Sequence, residues 1–328
     1  MRSFIHLWVK LAIVLFSSIL FLLNASGAVS SELNPVRTPS TGYQPQFQVS
    51  GNKIYYVWHE YDGPFRQIFS AEMNIDGTGW KAERRTSGQF DKVFPQLQVA
   101  GRKIHYIRQQ PNAAKNRQIW TMEANIDGTG WQEFQRTDTS FDKQFPQLQV
   151  VDNKIYFTWN ESDGKYRQIW TAEMNVDGTG WNPTKQTSSP FGKFEPQLQV
   201  AGEKIHLVWR EFDGSHFQIW TAEMIRNGTG WQAIQRTNTP FDKYTPQLQG
   251  VGDRIYYVWE ESDGKYRQIW TSQVNKDGTG WKAEKRTKSP FGKYDPQFQI
   301  VGNRVYYVWH EDHGSTEPIW VAEENLIK

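Results

Sequence analysis

The sequence predicts an all-β protein made of six repeated antiparallel sheets of four strands, and three observations predict it. A Pro-Gln pair returns every 50 or 51 residues, at Pro45, Pro95, Pro146, Pro196, Pro246 and Pro296; a period of that length marks a repeat architecture that folds as one unit. Each copy holds four short β-favouring runs divided by turn signals. The chain carries 16 Trp, 14 Tyr and 19 Phe, and aromatic enrichment with regularly spaced Gly and Pro favours strands over helices.

The first 28 residues differ in kind from the rest. Arg2 and Lys10 precede an apolar run from Leu11 to Leu23, and small residues follow, ending in Ser26-Gly27-Ala28. That is the pattern of a secretory signal, so residues 1–28 read as a signal peptide and 29–328 as the mature chain. The apolar run is shorter than the roughly 20 residues a spanning helix needs; an uncleaved anchor extended by Ile5 to Val9 is the alternative. Cleavage takes two of the 37 basic residues and none of the 35 acidic ones. The balance left is neutral, which argues against nucleic acid or an anionic membrane as partner, and the mature chain has no transmembrane segment. The expected location is secreted or periplasmic. With no cysteine, stability outside the cell must come from burial.

Within the fourth copy the strands read as Gln197 to Val200, Lys204 to Trp209, Gln218 to Met224 and Trp231 to Thr237. Strands two and three are apolar on both faces: Ile54, Tyr56 and Trp58 oppose Tyr55 and Val57, and Trp170, Ala172 and Met174 oppose Ile169 and Thr171. Such sheets must be covered on both sides. Sheets standing round an axis satisfy that need, so the expected fold is a six-bladed β-propeller; a solenoid is the alternative, and no polar capping repeat is seen. The last copy stops after its third strand, and Asn34-Pro35-Val36-Arg37-Thr38 matches what other copies place before Pro-Gln. Residues 34–38 are therefore expected to pair into the last blade and close the ring.

Two family patterns run along the mature chain. Gln168 to Gly180, then Lys185-Gln186-Thr187 and Pro196, resembles the repeat of TolB-type propellers. The same turn followed by Trp181, after Lys154 to Trp159, resembles the Asp-box repeat of sialidase-like propellers, with a spacing that differs by one residue. Glu72, Asp76, Gly77, Gly79 and Trp80, repeated at Glu123, Asp127, Trp131 and at Glu173, Asp177, Trp181, is similar to fucose-binding propeller lectins, although their sugar-binding Arg has no counterpart here. The first two resemblances imply six blades.

Asp-Gly-Thr-Gly at Asp76, Asp127, Asp177 and Asp277, with Asn227 in the fourth copy, reads as a tight turn in which the side chain bonds backbone amides. A calcium loop would need a distal Glu where Arg85 stands. The Gln pairs, such as Gln96 with Gln98, read as amides bonding between neighbouring blades, or as a polar channel lining. Trp120, Trp170, Trp220, Trp270 and Trp320 read as core. The second copy departs, with Arg108-Gln109-Gln110-Pro111 in place of Trp-x-Glu; a partner loop and plain drift are both consistent with it.

One rim collects Glu60, Asp62 and Arg66; Glu161, Asp163 and Arg167; Glu211 and Asp213; and Glu261, Asp263 and Arg267. Phe191 with Lys193, Phe241 with Lys243 and Phe291 with Lys293 join them. Aromatics beside charges grip sugars or peptides, and exposed ion pairs worth under about 1 kcal/mol each are the alternative account. A catalytic centre needs residues that differ in role, whereas these repeat. The expected function is thus an exported, non-enzymatic binding module that recognises a glycan or an envelope protein through repeated rim loops, with no catalytic residue, metal or cofactor. A TolB-like periplasmic scaffold or a sialidase-like glycoside hydrolase is the alternative.

Overall fold

The computed structural model describes residues 42–314 and 319–326. The expected signal segment and residues 34–38 lie outside the described residues. The strands form successive antiparallel meanders. The first holds β1 (Tyr43–Ser50), β2 (Lys53–Asp62), β3 (Phe65–Asn74) and β4 (Lys81–Arg84); the second β5 (Val93–Ala100), β6 (Lys103–Pro111), β7 (Arg117–Asn125) and β8 (Gln132–Gln135). The third holds β9 (Lys143–Val151), β10 (Lys154–Ser162), β11 (Arg167–Asn175) and β12 (Asn182–Lys185); the fourth β13 (Lys193–Ala201), β14 (Lys204–Phe212), β15 (Phe217–Ile225) and β16 (Gln232–Gln235). The fifth holds β17 (Lys243–Val251), β18 (Arg254–Ser262), β19 (Arg267–Asn275) and β20 (Glu284–Lys285), and the last β21 (Gly292–Val301), β22 (Arg304–Asp312) and β23 (Ile319–Asn325). These are the six blades of a β-propeller, as the repeat predicts. Among the described residues no helix is long and apolar enough to cross a membrane.

The described residues up to Ile155, with Met174–Trp181, pack as one compact unit; Tyr156–Glu173 and the described residues from Asn182 onward pack as another. In the first, Tyr55, Val57 and Ile68 meet Val99, Ile104, Tyr106 and Met122 across adjacent sheets. In the second, Val208 and Ile219 meet Ile255, Tyr257 and Trp259, and Val258 and Ile269 meet Trp309. In these clusters strands two and three of adjacent sheets bury apolar side chains against each other, which is why apolar residues appear on both of their faces. The inner-strand Gln side chains do join neighbours: Val99 N–H donates to Gln48 at 2.6 Å, Gly250 N–H to Gln199 at 2.7 Å and Ile300 N–H to Gln249 at 2.8 Å.

The Trp expectation holds in part: Trp120 and Trp270 pack against the buried clusters, but the fully buried indoles are others. Trp159, Trp209 and Trp259 on the second strands are fully buried, whereas Trp120, Trp170, Trp220 and Trp270 are half-buried and Trp320 is exposed. A third-strand indole also has strands on both sides, but one of them is the short outermost fourth strand, so it lies nearer the edge than a second-strand indole. The Asp-Gly-Thr-Gly segments are turns. Asp76 accepts the Thr78 N–H at 2.9 Å and its hydroxyl at 2.7 Å, and Gly77 and Gly79 hold φ of 84° and 71°, which glycine adopts freely.

The Gln-Ile-Trp and Arg-Thr motifs explain each other. Thr237 Oγ1 accepts the Ile219 N–H at 2.9 Å and donates to Gln218 Oε1 at 2.9 Å, and Gln218 Nε2 donates to the Thr239 carbonyl at 2.8 Å. The same set ties Thr86 to Ile68, Thr137 to Ile119, Thr187 to Ile169 and Thr287 to Ile269. This fixes the chain as it leaves one sheet for the next. Thr237→Val keeps the shape and orphans a buried amide, so we expect a loss of about 1–3 kcal/mol; an unchanged urea midpoint would contradict this role for the hydroxyl.

Candidate active site

The six copies are not alike where each inner strand begins. Pairing is regular as far as Phe194↔Arg210 and resumes at Gln197↔Val208, so Glu195 and Pro196 together face one partner residue. The same slip occurs between Tyr43 and Gln46, Val93 and Gln96, Tyr244 and Gln247, and Tyr294 and Gln297. Proline has no N–H for the ladder and bars its predecessor from the right-handed helical region. The preceding residue sits instead at positive φ: Gln44 50°, Phe94 54°, Phe145 54°, Glu195 55°, Thr245 45° and Asp295 50°. A non-glycine residue there is strained by on the order of 1–3 kcal/mol, and a bulge re-aims its side chain.

These six positions carry five different residue types among a repeated frame, and so do the positions after the second-strand Trp or its Arg108 counterpart: His59, Gln109, Asn160, Arg210, Glu260 and His310. The strands that bear them lie side by side, Phe194 facing Arg210, Tyr244 facing Glu260 and Tyr294 facing His310. In the second unit they assemble a charged cluster. Arg210 Nη2 donates to Glu195 Oε1 at 3.0 Å, with Nε 2.9 Å from Oε2. The Thr245 N–H reaches Glu195 Oε2 at 3.1 Å. Glu260 accepts the Thr245 hydroxyl at 2.7 Å and the Asp295 N–H at 2.6 Å on Oε1, and Arg267 Nη1 at 3.0 Å on Oε2. The Arg267 guanidinium lies 3.6 Å from the Tyr244 ring centre and 5.0 Å from that of Tyr294.

The three carboxyl groups differ in surroundings. Glu195 is clamped by a guanidinium and an amide. Asp295 is half-buried and its carboxylate takes no hydrogen bond or ion pair among the described residues. Glu260 is 1 % exposed; burial, with Asp295 beside it, pushes its carboxyl up to about 7 in spite of its three donors. Environments that push titratable groups apart sort them into acid and base roles. In the first unit the corresponding positions carry no acid: Phe94 meets Phe145 edge to face at 5.4 Å, and Tyr43 stacks on His59 at 5.8 Å.

Of the residues singled out from the sequence, Arg267 alone takes part in this cluster. Glu60, Glu161, Glu211 and Glu261 accept the indole N–H of Trp58, Trp159, Trp209 and Trp259 at 3.1, 3.1, 3.1 and 3.3 Å. Lys193 pairs with Glu211 at 3.1 Å, Lys243 with Glu261 at 3.6 Å and Lys293 with Glu311 at 3.1 Å. Lys193, Lys243, Lys293, Glu161, Glu211 and Glu261 are buried, so they do not stand on an exposed rim. Each lysine also donates to the carbonyl of Phe191, Phe241 or Phe291, and the Phe291 ring stacks on His313 at 3.9 Å. Asp163 and Asp263 accept the Tyr166 and Tyr266 amides, which hold their carboxyls at about 2; Asp213 closes the same turn through His216. Asp62 pairs with Arg84, and Arg66 lies over Tyr61. Arg167 is half-buried at the start of β11.

No protein-family model and no curated protein matches the chain. Solved structures do. A Trypanosoma rangeli sialidase mutant displaying trans-sialidase activity is 13 % identical with a TM-score of 0.56, over 86 % of this chain and 54 % of that one. The phage phi92 endosialidase is 11 % identical with a TM-score of 0.59, over 86 % and 67 %. An α-L-arabinofuranosidase from Fusarium graminearum, in complex with an iminosugar inhibitor, is 12 % identical with a TM-score of 0.56, over 86 % and 92 %. The chain spans about half the length of the trypanosomal sialidases it matches, and at these identities the likeness is one of fold.

The expectation of a non-enzymatic module is corrected on two counts. Its premise was that the same residues recur in every copy, and Glu195, Thr245, Glu260 and Asp295 break that rule at strained, clustered positions. The solved structures named above are a sialidase, an endosialidase and an arabinofuranosidase rather than binding modules.

Proposed function

We propose that this chain is a propeller glycoside hydrolase acting on a neutral carbohydrate. The observation that carries the reading is the placement of Glu260 and Asp295 together, one buried and proton-holding near neutrality, the other half-buried with a carboxylate that takes no hydrogen bond among the described residues. Glycosidic bond cleavage needs such a pair, an acid for the leaving oxygen and an ionised carboxylate for the opposite face of the sugar. Glu260 is assigned the proton donor and Asp295 the ionised partner. Thr245 and Arg267 position Glu260. Tyr244 and Tyr294 offer aromatic faces of the kind on which sugars pack.

The choice of a neutral substrate follows from the guanidinium groups. Arg210 is paired with Glu195, and Arg267 already donates to Glu260, so both guanidinium groups serve protein carboxyls in this cluster. The arabinofuranosidase-like likeness therefore fits this cluster better than the sialidase-like one, which the Asp-box resemblance would suggest. Export behind residues 1–28 is part of the proposal, since it would bring the enzyme to extracellular or envelope glycans.

The test is a panel of 4-nitrophenyl glycosides offered to the full mature chain, with neutral furanosides and pyranosides beside an α-sialoside. Release from a neutral member, and not from the sialoside, is the expected result. No release from any member, or release from the sialoside alone, would overturn the reading.

A further inference from the structure

The lysine clamp is incomplete in the second sheet. Lys193, Lys243 and Lys293 each meet three acceptors: a hydroxyl four residues back on Ser189, Thr239 or Ser289, a carbonyl two residues back, and a carboxylate on the facing strand. Lys92 occupies the same place and is 4 % exposed. Four residues back stands Gly88, and the facing strand carries Gln110 where other copies have Glu. Among the described residues its Nζ donates to the Phe90 carbonyl alone, at 3.2 Å. Arg108, fully buried, replaces the indole; its Nη1 donates to Gln110 Oε1 at 2.8 Å, its Nη2 is paired with Glu133, and its Nε has no partner.

The second sheet has thus kept a buried amine, gained a buried guanidinium and lost the buried acid. Gly88 is exposed, and no atom lies within 4 Å of where a Cβ there would stand.

We propose that Lys92 is a carbamylation site that takes up carbon dioxide. The neutral amine attacks the carbon, an N–C bond forms as one C–O π bond opens, and one amine proton leaves to solvent, giving a Lys-NH-COO⁻ group. That group supplies the anion which Glu211, Glu261 and Glu311 supply in the other sheets, beside a guanidinium that otherwise has Glu133 as its one carboxylate. Nothing is oxidised, and carbon dioxide is the one co-reactant. The charged groups facing Lys92 are Arg108, Glu133 and Asp91; burial, then Arg108, hold its ammonium down to about 8, so a usable fraction of free amine exists near neutral pH.

The experiment is ¹³C NMR of the full mature chain in ¹³C-bicarbonate at about pH 8. One protein carbamate resonance is expected, lost in Lys92→Met. It is expected to fall at least tenfold in Gln110→Glu, which gives the lysine the acid the other sheets already fold with. No resonance in the unaltered chain, a resonance of the same size in Lys92→Met, or an undiminished one in Gln110→Glu would each overturn the proposal.

Discussion

Glu260→Gln is expected to lower kcat on the best glycoside of the panel by about 10²–10⁴-fold, the usual contribution of a positioned general acid. At 1.36 kcal/mol per decade that is about 3–5 kcal/mol of barrier. The carboxamide keeps the volume, and its one oxygen can still accept from Thr245 and the Asp295 amide, while its NH2 faces Arg267, which must turn to water or substrate for its acceptor. What it lacks is a transferable proton. KM should change little, because the group acts on the leaving oxygen rather than in ground-state binding.

The pH profile gives a second reading of the same residue. Glu260 is raised by burial to about 7 from an ordinary 4.5, so the active, protonated form prevails below that value and activity should fall as pH rises through it. Thr245 donates to the carboxyl and favours its charged form; Thr245→Val is expected to move the alkaline limb upward. Stability should follow in the same direction. The folded state holds this proton more tightly than the unfolded chain, so stability falls as pH rises from about 4.5 to about 7, and Glu260→Gln should flatten that decline. A variant with unaltered kcat, or an alkaline limb that Thr245→Val leaves in place, would remove Glu260 from the acid role.

The two layers of this protein differ in how readable they are. The blades are legible because each copy must bury both faces of strands two and three, and that requirement repeats the apolar alternation from copy to copy, with the Gly-Thr-Gly turn in five copies and Gln-Ile-Trp in four. Repetition is also what misled. Lys193 with Glu211, Lys243 with Glu261 and Lys293 with Glu311 recur as a buried clamp, so reading these recurrent charges as part of a ligand-binding rim mistook internal bonding for a surface. The signal for the candidate site was present in the columns of the repeat. Before the proline stand Gln, Phe, Phe, Glu, Thr and Asp, and after the second-strand indole or its Arg stand His, Gln, Asn, Arg, Glu and His. Sequence alone did not bring these two columns together, since that depends on a bulge whose positive φ runs against the local preference of every residue that adopts it.

Trp209→Ala is expected to be the most destabilising of the substitutions considered, at about 3–5 kcal/mol. Its side chain is wholly buried and stacks on Trp220 at 6.3 Å and on Trp231 at 5.9 Å. Truncation opens a cavity between rigid rings that cannot close over it, which is where large-to-small changes cost most. It also takes the indole donor from Glu211, leaving a carboxylate buried against Lys193 with one support fewer. Trp209→Phe should fall between, because it keeps a ring in the stack and loses the N–H. Trp220→Ala should cost less than Trp209→Ala, since Trp220 is half-buried and makes no such bond. Urea unfolding of the three variants tests the order. If Trp220→Ala proved as costly as Trp209→Ala, the second-strand indole would not be the centre of the sheet's packing, and its bond to Glu211 would contribute little to holding the fold.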